Sequence, residues 1–440
     1  GAITDTLNQD NANQVSYRNA SAGVMVDLGL GGASGGAGND VLININEVRG
    51  SAYNDAIRGS NRTDLTEFFE GREGNDSIDG ASGFDMVRFD NATGGVTANM
   101  LTGSASGNGI GTDVFMNVEG FIGSAYNDIL TGGLAANGTS VLDGLSEVFR
   151  GGAGNDTIDG GQGYDRADYT SSSSAVTVAL NDTLAGSASD GLGGTDVLYN
   201  IEAVRGSAFD DTLTGSNTAA FESFEGREGN DSLDGQGGVD RVDYRNARAG
   251  VVVDLLLNTA SQDGYGGVDT LLNMENVRGS RDFSDAITGN TLANYLDGLG
   301  GNDTLSGGAG NDSLAGGAGN DTFVYDLSGN GQDLISDVQQ GDQVLVRGLT
   351  AQTSLLSGDV ATGLTQGQVM LGTASNGVTR LYVGTDAVAG ADLVIDLAGN
   401  FSPAVLGISN DAAGAHITHL SDPVISGTPG DDIKTSIAGN

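Results

Sequence analysis

The sequence predicts an all-β solenoid, a chain wound into stacked coils of short strands and tight turns. Two periodicities and one compositional feature carry this. Between Gly298 and Asp321 a nine-residue phrase recurs three times, GLGGND-TLS, GGAGND-SLA and GGAGND, with its aspartates at Asp303, Asp312 and Asp321. Upstream, a longer unit recurs four times, its apolar runs beginning at Val24, Val96, Val176 and Val251, at spacings of 72, 80 and 75 residues. The acidic residues recur at turn positions instead of running in blocks, as an ordered repeat requires and a solvated tail does not.

The nine-residue phrase joins a six-residue Gly-rich turn ending in Asp to a three-residue strand whose middle residue is apolar: Leu305, Leu314 and Phe323. Glycine reaches positive φ at little steric cost and Asn tolerates the left-handed region, so GGAGN can bend sharply and turn its carbonyls to one side. One carboxylate with several carbonyl oxygens suits a hard cation taking six to eight oxygen ligands, which describes Ca²⁺ better than Mg²⁺ or Zn²⁺. The candidate ligands are Asp303, Asp312 and Asp321, with the carbonyls of Gly298, Gly300, Gly307, Ala309, Gly316 and Ala318. A flexible Gly-rich linker would lack the fixed Asp and apolar positions.

The phrase matches G-G-x-G-x-D-x-U-x, and on it the chain resembles the repeats-in-toxin (RTX) family, whose nonapeptides bind calcium. The resemblance implies a right-handed parallel β-roll: two nonapeptides per coil, calcium along both edges, and the U side chains filling a thin core. It also implies type I secretion as an unfolded chain and folding in external calcium, hence a secreted, extracellular or cell-surface location.

Each long unit keeps one order. An aromatic (Tyr17, Phe89, Tyr169, Tyr244) precedes the apolar run, and a Gly-rich turn follows, ending in Asp40, Asp113, Asp196 or Asp269. A second turn ends in Asp55, Asp128, Asp211 or Asp285. Variable insertions come next, such as 61–69, 132–148 and 216–224; they are candidates for loops and a partner surface, and end on Phe69, Phe149, Phe224 and, in the fourth unit, Tyr295, expected as core plugs. The first three units close with paired nonapeptide turns ending in Asp76 and Asp85, Asp156 and Asp165, and Asp231 and Asp240. The repeated Glu119, Glu202 and Glu275 read as solvated or ladder-forming strand positions, and Asn46 at the equivalent place in the first unit argues against a catalytic carboxylate there.

Three segments follow: a calcium-binding roll over 1–321, a capping β region over 322–426 that hides the last apolar layer, and the start of a further repeat over 427–440 with Asp432 as one more candidate ligand. The chain opens Gly-Ala-Ile-Thr, without an initiator Met. It is expected to be a processed form or a piece of a longer array, or else each molecule's last turn is completed by the next molecule's first strand, a head-to-tail, non-closing association.

The formal net charge is −40, from 58 Asp and Glu against 18 Lys and Arg. Without cations this repels the compact state, so the calcium-free chain is expected to be largely unfolded. A basic nucleic-acid-binding face is excluded. No apolar run approaches a membrane span, and with Cys absent neither disulfides nor thiolate metal sites contribute. HExxH, GxSxG, P-loop and dinucleotide fingerprints are missing. His416 and His419, i and i+3 on a probable strand, point to opposite faces and do not share a metal. The expected function is non-enzymatic: a calcium-dependent structural protein of a Gram-negative cell surface, such as a filament, surface-layer (S-layer) or adhesin-stalk subunit. The alternatives are the repeat region of a secreted epimerase, lipase or protease, which an upstream domain would reveal, and an adhesin binding a surface glycan through the insertions, which a glycan array would reveal.

Overall fold

The computed structural model describes residues 13–134, 147–181, 184–351, 356–358, 364–372, 375–386, 393–401 and 406–419. Among them every regular element is a strand, and none is a helix able to cross a membrane. The chain divides into Gly1–Arg278 and Gly279–Asn440. The border expected between 321 and 322 falls inside the second unit, and Asp432 lies outside the described residues.

In the first unit one stack is purely parallel. Its strands run from Gln14–Ser16 through Glu47–Arg49, Thr66–Glu70, Phe84–Arg88, Gly120–Ile122, Val148–Arg150, Arg166–Asp168, Ala203–Arg205, Ser223–Glu225 and Arg241–Asp243 to Asn276–Arg278. The register superposes the U positions: Val48 lies over Phe69, Phe121 over Phe149, Val204 over Phe224. The middle residue of each three-residue strand faces inward because strand side chains alternate. Val48, Phe69, Phe121, Phe149, Val204 and Phe224 are buried, as are Ile57, Ile78, Leu130, Ile158, Leu213 and Leu233 of the other stack. The second stack contributes one side chain per strand to the core, whereas the first is buried on both faces, with Phe68, Phe84, Met86, Ile122, Val148 and Ala203 forming a further apolar cluster.

The second stack holds what the repeat pattern alone conceals. Each apolar run opens an antiparallel three-stranded meander: Val24–Asp27, Gly32–Gly35 and Asp40–Val41; Val96–Asn99, Ser104–Gly107 and Gly111–Met116; Thr177–Ala179, Gly186–Ser189 and Thr195–Tyr199; Val252–Asp254, Thr259–Gln262 and Asp269–Leu272. Space and chain run in opposite order there. Gly111–Met116, the third strand, pairs in parallel with the preceding Ser77–Asp79, whereas Val96–Asn99, the first, pairs with the following Ile129–Thr131. The long segments are therefore not simply longer coils; the period-two alternation in VMVD and VTAN signals half-exposed strands that pair antiparallel.

The second unit begins with the same parallel winding, Ala286–Thr288, Thr304–Ser306, Thr322–Tyr325 and Gln343–Arg347 on one side, Tyr295–Asp297, Ser313–Ala315 and Gln332–Ile335 on the other. It ends by switching direction: Gly414–His419 joins Gln343–Arg347 antiparallel and pairs with Leu406–Asn410, while Val378–Val383 pairs antiparallel with Leu393–Ala398. Alternation in Gly414–His419 puts His419 on the buried face and His416 on the other.

One expected plug is corrected. Phe69, Phe149 and Phe224 fill the core, but Tyr295 is 41% exposed: the U position of its strand is Leu296, and a one-residue step along a strand changes the face.

Replacing Phe224 by Ala removes a fully buried ring from the space between the two stacks. A loss of about 3–5 kcal/mol is expected, measured by denaturant unfolding at saturating calcium.

Candidate calcium centres

The nonapeptide turns place two residues at positive φ, the second and fourth. Gly317 and Gly319 have φ of +87° and +153°, and their Cα atoms face the carbonyls of Leu299 and Gly301 one coil back, so closely that a methyl at Gly319 would meet the Gly301 carbonyl carbon at 2.7 Å. At the second position Arg72, Ala81, Arg227, Gln236 and Leu299 also take the left-handed conformation, which costs about 1–2 kcal/mol each and is held by the stacking on either side. The Asn of the fifth position does not. Its side chain receives a backbone N–H from the next layer, as in Asn320 N–H to Asn302 Oδ1 (2.9 Å) and Thr195 N–H to Asn155 Oδ1 (2.8 Å). Left-handed Asn occurs instead at Asn44, Asn117, Asn200 and Asn273, just before the repeated Asn/Glu step.

The turn aspartates form hydrogen-bonded ladders. The amide of Asp55 donates to Asp76 Oδ1 (2.8 Å), and that of Asp76 to Asp113 Oδ1 (2.9 Å). Asp128, Asp156 and Asp196 repeat the sequence of bonds, as do Asp211, Asp231 and Asp269. In the second unit the ladder runs Asp285, Asp303, Asp321, Asp342, and a parallel one runs Asn294, Asp312, Asp333. Asp40 differs from its equivalents in being exposed.

Two kinds of turn share this ladder. In GSAYND, GSAFDD and their relatives a serine replaces the second residue. Ser207 donates its amide to Asp211 Oδ2 (2.6 Å) and its hydroxyl to Asp211 Oδ1 (2.7 Å); Ser51 on Asp55, Ser124 on Asp128 and Ser280 on Asp285 do the same. Protein donors reach both oxygens. In the nonapeptide turns no serine stands at the second position, and the Oδ2 atoms of Asp76, Asp156, Asp231, Asp303, Asp312 and Asp321 are buried without a hydrogen-bond partner. Each lies close to the first glycine of its turn: a methyl on Gly307 would sit 2.1 Å from Asp312 Oδ2.

An unpaired carboxylate in that setting resists ionising. Burial pushes Asp76 and Asp303 up to about 7 and Asp156 and Asp231 to about 8, with neighbouring carboxylates adding to the effect. A cation beside Oδ2 reverses the balance. The donor set, one carboxylate oxygen per turn amid backbone carbonyls, fits calcium. Among the described residues no three acidic or histidine side chains converge as a ready cage, as expected where much of the coordination comes from the main chain.

Of the six carbonyl-bearing residues expected around the ion, Gly298, Gly307 and Gly316 stand against the Oδ2 atoms of Asp303, Asp312 and Asp321. Gly300 donates to the Gly298 carbonyl, Ala309 donates to Asn290, and the Ala318 carbonyl accepts from Gly301 N–H (2.9 Å). The opposite edge of the first unit combines aspartates with glutamates: the amides of Asp85, Asp165 and Asp240 donate to Glu119, Glu202 and Glu275 (2.9 Å each), and Glu222 donates to Asp240. Burial and the nearby Glu119 and Glu67 carboxylates raise Asp85 to about 9. Glu222, Asp333 and Asp342 are ladder members that a nonapeptide search misses. The only sequence signals are the Gly-Asp pair at 341–342 and the Gly-Gln-Asp at 331–333, each 21 residues beyond the turn it stacks on.

A family model described as the RTX calcium-binding nonapeptide repeat matches residues 66–87, 145–167, 218–246 and 288–323, the stretches that hold the six unpaired turn aspartates named above. The chain carries RTX calcium-binding repeats. No curated protein matches it. The RTX stretches alternate with the meanders along the chain.

Replacing Ser207 by Ala strips a hydroxyl from a buried carboxylate. It is expected to cost about 1–3 kcal/mol in calcium-saturated unfolding without lowering the amount of calcium bound, measured by calorimetric titration.

The calcium-free chain has a definite pH dependence. An unfolded aspartate titrates near pH ~3.9, whereas folded Asp76 and Asp156 hold their protons to about 7 and 8. Between those limits the folded state binds more protons, so its stability falls as pH rises and is regained on acidification. In chelator, β-structure seen by circular dichroism is expected to increase from pH 8 to pH 5, while calcium affinity moves the opposite way because the ion competes with those protons. Stability that rises with pH in chelator contradicts the assignment.

Proposed function

We propose that this secreted calcium-binding repeat protein is a structural component of a Gram-negative cell surface, a filament, surface-layer or adhesin-stalk subunit whose copies associate with one another, and that it has no catalytic role. The observation that carries the reading is the recurrence of the buried, unpaired Oδ2 at Asp76, Asp156 and Asp231 in the first unit and at Asp303, Asp312 and Asp321 in the second. Ion sites spread along a winding serve the winding itself. A protein whose calcium served a single reaction centre would concentrate its ligands there.

The mechanism is linkage. Calcium binds turns that exist only when coils are stacked, so its binding free energy becomes folding free energy, RT ln(1 + [Ca²⁺]/Kd) for each site. The net charge of −40 keeps the chain open where calcium is scarce, and ions outside the cell remove that repulsion.

A calcium titration of the purified chain, followed by circular dichroism and electron microscopy on the same samples, tests this. Cooperative appearance of β-structure together with filaments or sheets is expected. Folding into a stable monomer overturns the structural reading and favours the repeat region of a secreted enzyme or a glycan-binding adhesin. A chain already folded in chelator removes the role given to calcium.

A further inference from the structure

The four meanders differ in the residue that opens their last turn. Six residues before the turn aspartates Asp40, Asp113, Asp196 and Asp269 stand Ser34, Gly107, Asp190 and Asp263. Only the third and fourth units carry a carboxylate there, and neither Asp190 nor Asp263 belongs to a nonapeptide.

Both side chains are 0% exposed and are used on one side only. Asp190 Oδ1 accepts the amides of Leu192 (2.8 Å), Gly193 (2.9 Å) and Gly194 (2.8 Å), and Asp263 Oδ1 accepts those of Tyr265 (2.8 Å), Gly266 (2.7 Å) and Gly267 (2.8 Å). Their Oδ2 atoms have no partner. The direction of these atoms is given by the neighbouring glycines. A methyl on Gly194 would stand 2.7 Å from Asp190 Oδ2 and collide with the Gly154 carbonyl oxygen; one on Gly267 would stand 2.7 Å from Asp263 Oδ2 and collide with the Gly229 carbonyl oxygen. The free carboxylate oxygen and the main-chain oxygen of the nonapeptide turn one layer away thus border one small space, which only glycine leaves open. At the matching Gly111 of the second unit the same test meets the Gly74 carbonyl and the Asn75 amide oxygen, and no carboxylate.

The ladder aspartates of the adjoining layers are the charge neighbours of Asp190 and Asp263. Asp156 donates its amide to Asp196 Oδ1 and keeps an unpaired Oδ2, while Asp196 Oδ2 accepts from Tyr169 Oη (3.2 Å). Asp231, Asp269 and Tyr244 repeat this, with the tyrosine bond at 2.9 Å. The Asp190 charge acts on both Asp156 and Asp196, and that of Asp263 on Asp231 and Asp269.

We propose that Asp190 and Asp263 are calcium ligands outside the repeat phrase, each meeting the ion together with a main-chain carbonyl of the adjoining nonapeptide turn, that of Gly154 and that of Gly229. The proposal rests on calcium being the ion of the ladder. Affinity in oxygen sites rises with the number of charged ligands, so these two centres fill before the Asp76–Asp113 site of the second unit. Folding on rising calcium then starts in the third and fourth units.

Isothermal titration of the full chain with calcium, against the double variant Asp190→Asn/Asp263→Asn, tests this. Asn keeps the oxygen that receives the three turn amides and removes the charge of the other atom. The expected result is loss of the tightest class, two ions per chain, with affinity lowered roughly tenfold or more, while Asp113→Asn leaves that class intact. An unchanged tight class in the double variant overturns the proposal and leaves Asp190 and Asp263 as turn staples. If the double variant does not fold at saturating calcium, Asp190→Gly/Asp263→Gly, carrying the residue native to the second unit, decides: retention of the tight class overturns the proposal, its loss in a folded chain supports it. A wild-type chain that binds no calcium removes the underlying reading instead, a result distinct from either.

Discussion

The structure depends on how a turn aspartate divides its two oxygens. One accepts an amide from the adjoining layer and fixes the spacing of the stack; the other is carried into the interior with it. Winding the chain and burying a negative charge are therefore one event, and every added coil repeats it. The protein meets the difficulty in two ways. The serine turns satisfy the second oxygen with their own amide and hydroxyl, and the nonapeptide turns leave it for a cation. Alternating the two leaves some rungs satisfied by the protein's own donors and the rest with an unpaired oxygen.

A three-residue strand of the second stack buries one side chain, about 1.5–3 kcal/mol per U residue, whereas Gly120–Ile122, Val148–Arg150 and Ala203–Arg205 of the first are buried throughout. An ion bound only by the wound turns would add its binding free energy to folding, alongside apolar contacts such as Phe121–Phe149, with ring centroids 6.2 Å apart.

Much of this is legible in the residues because the signals are periodic. The nonapeptide shows the turn, the strand and the inward position at once, and Phe69, Phe149 and Phe224 fall in register with it. What periodicity does not show is chemistry supplied by a different residue type. The glutamates that accept from Asp85, Asp165 and Asp240 look like ordinary strand positions, since Glu reaches across with a longer side chain from a shifted backbone place. Ser207 and its equivalents look like turn filler, although they decide whether a carboxylate needs a metal. Tyr295 shows the opposite failure: an aromatic draws the eye to the wrong face when the true inward residue is the Leu beside it. The meanders were hidden because their turns resemble the calcium turns in composition, and only strand alternation separates them.

The reversed order of the meander strands bears on how such a chain can grow or shrink over generations. Val96–Asn99 leaps ahead to the layer of Ile129–Thr131, and Gly111–Met116 returns to close on Ser77–Asp79, so consecutive periods overlap like roof tiles. A duplication with its joint inside this overlap orphans a strand on each side. A joint between equivalent points of two periods, as between residues 129 and 212, carries a complete tile. Copy number in this architecture therefore changes by whole periods of 72–80 residues.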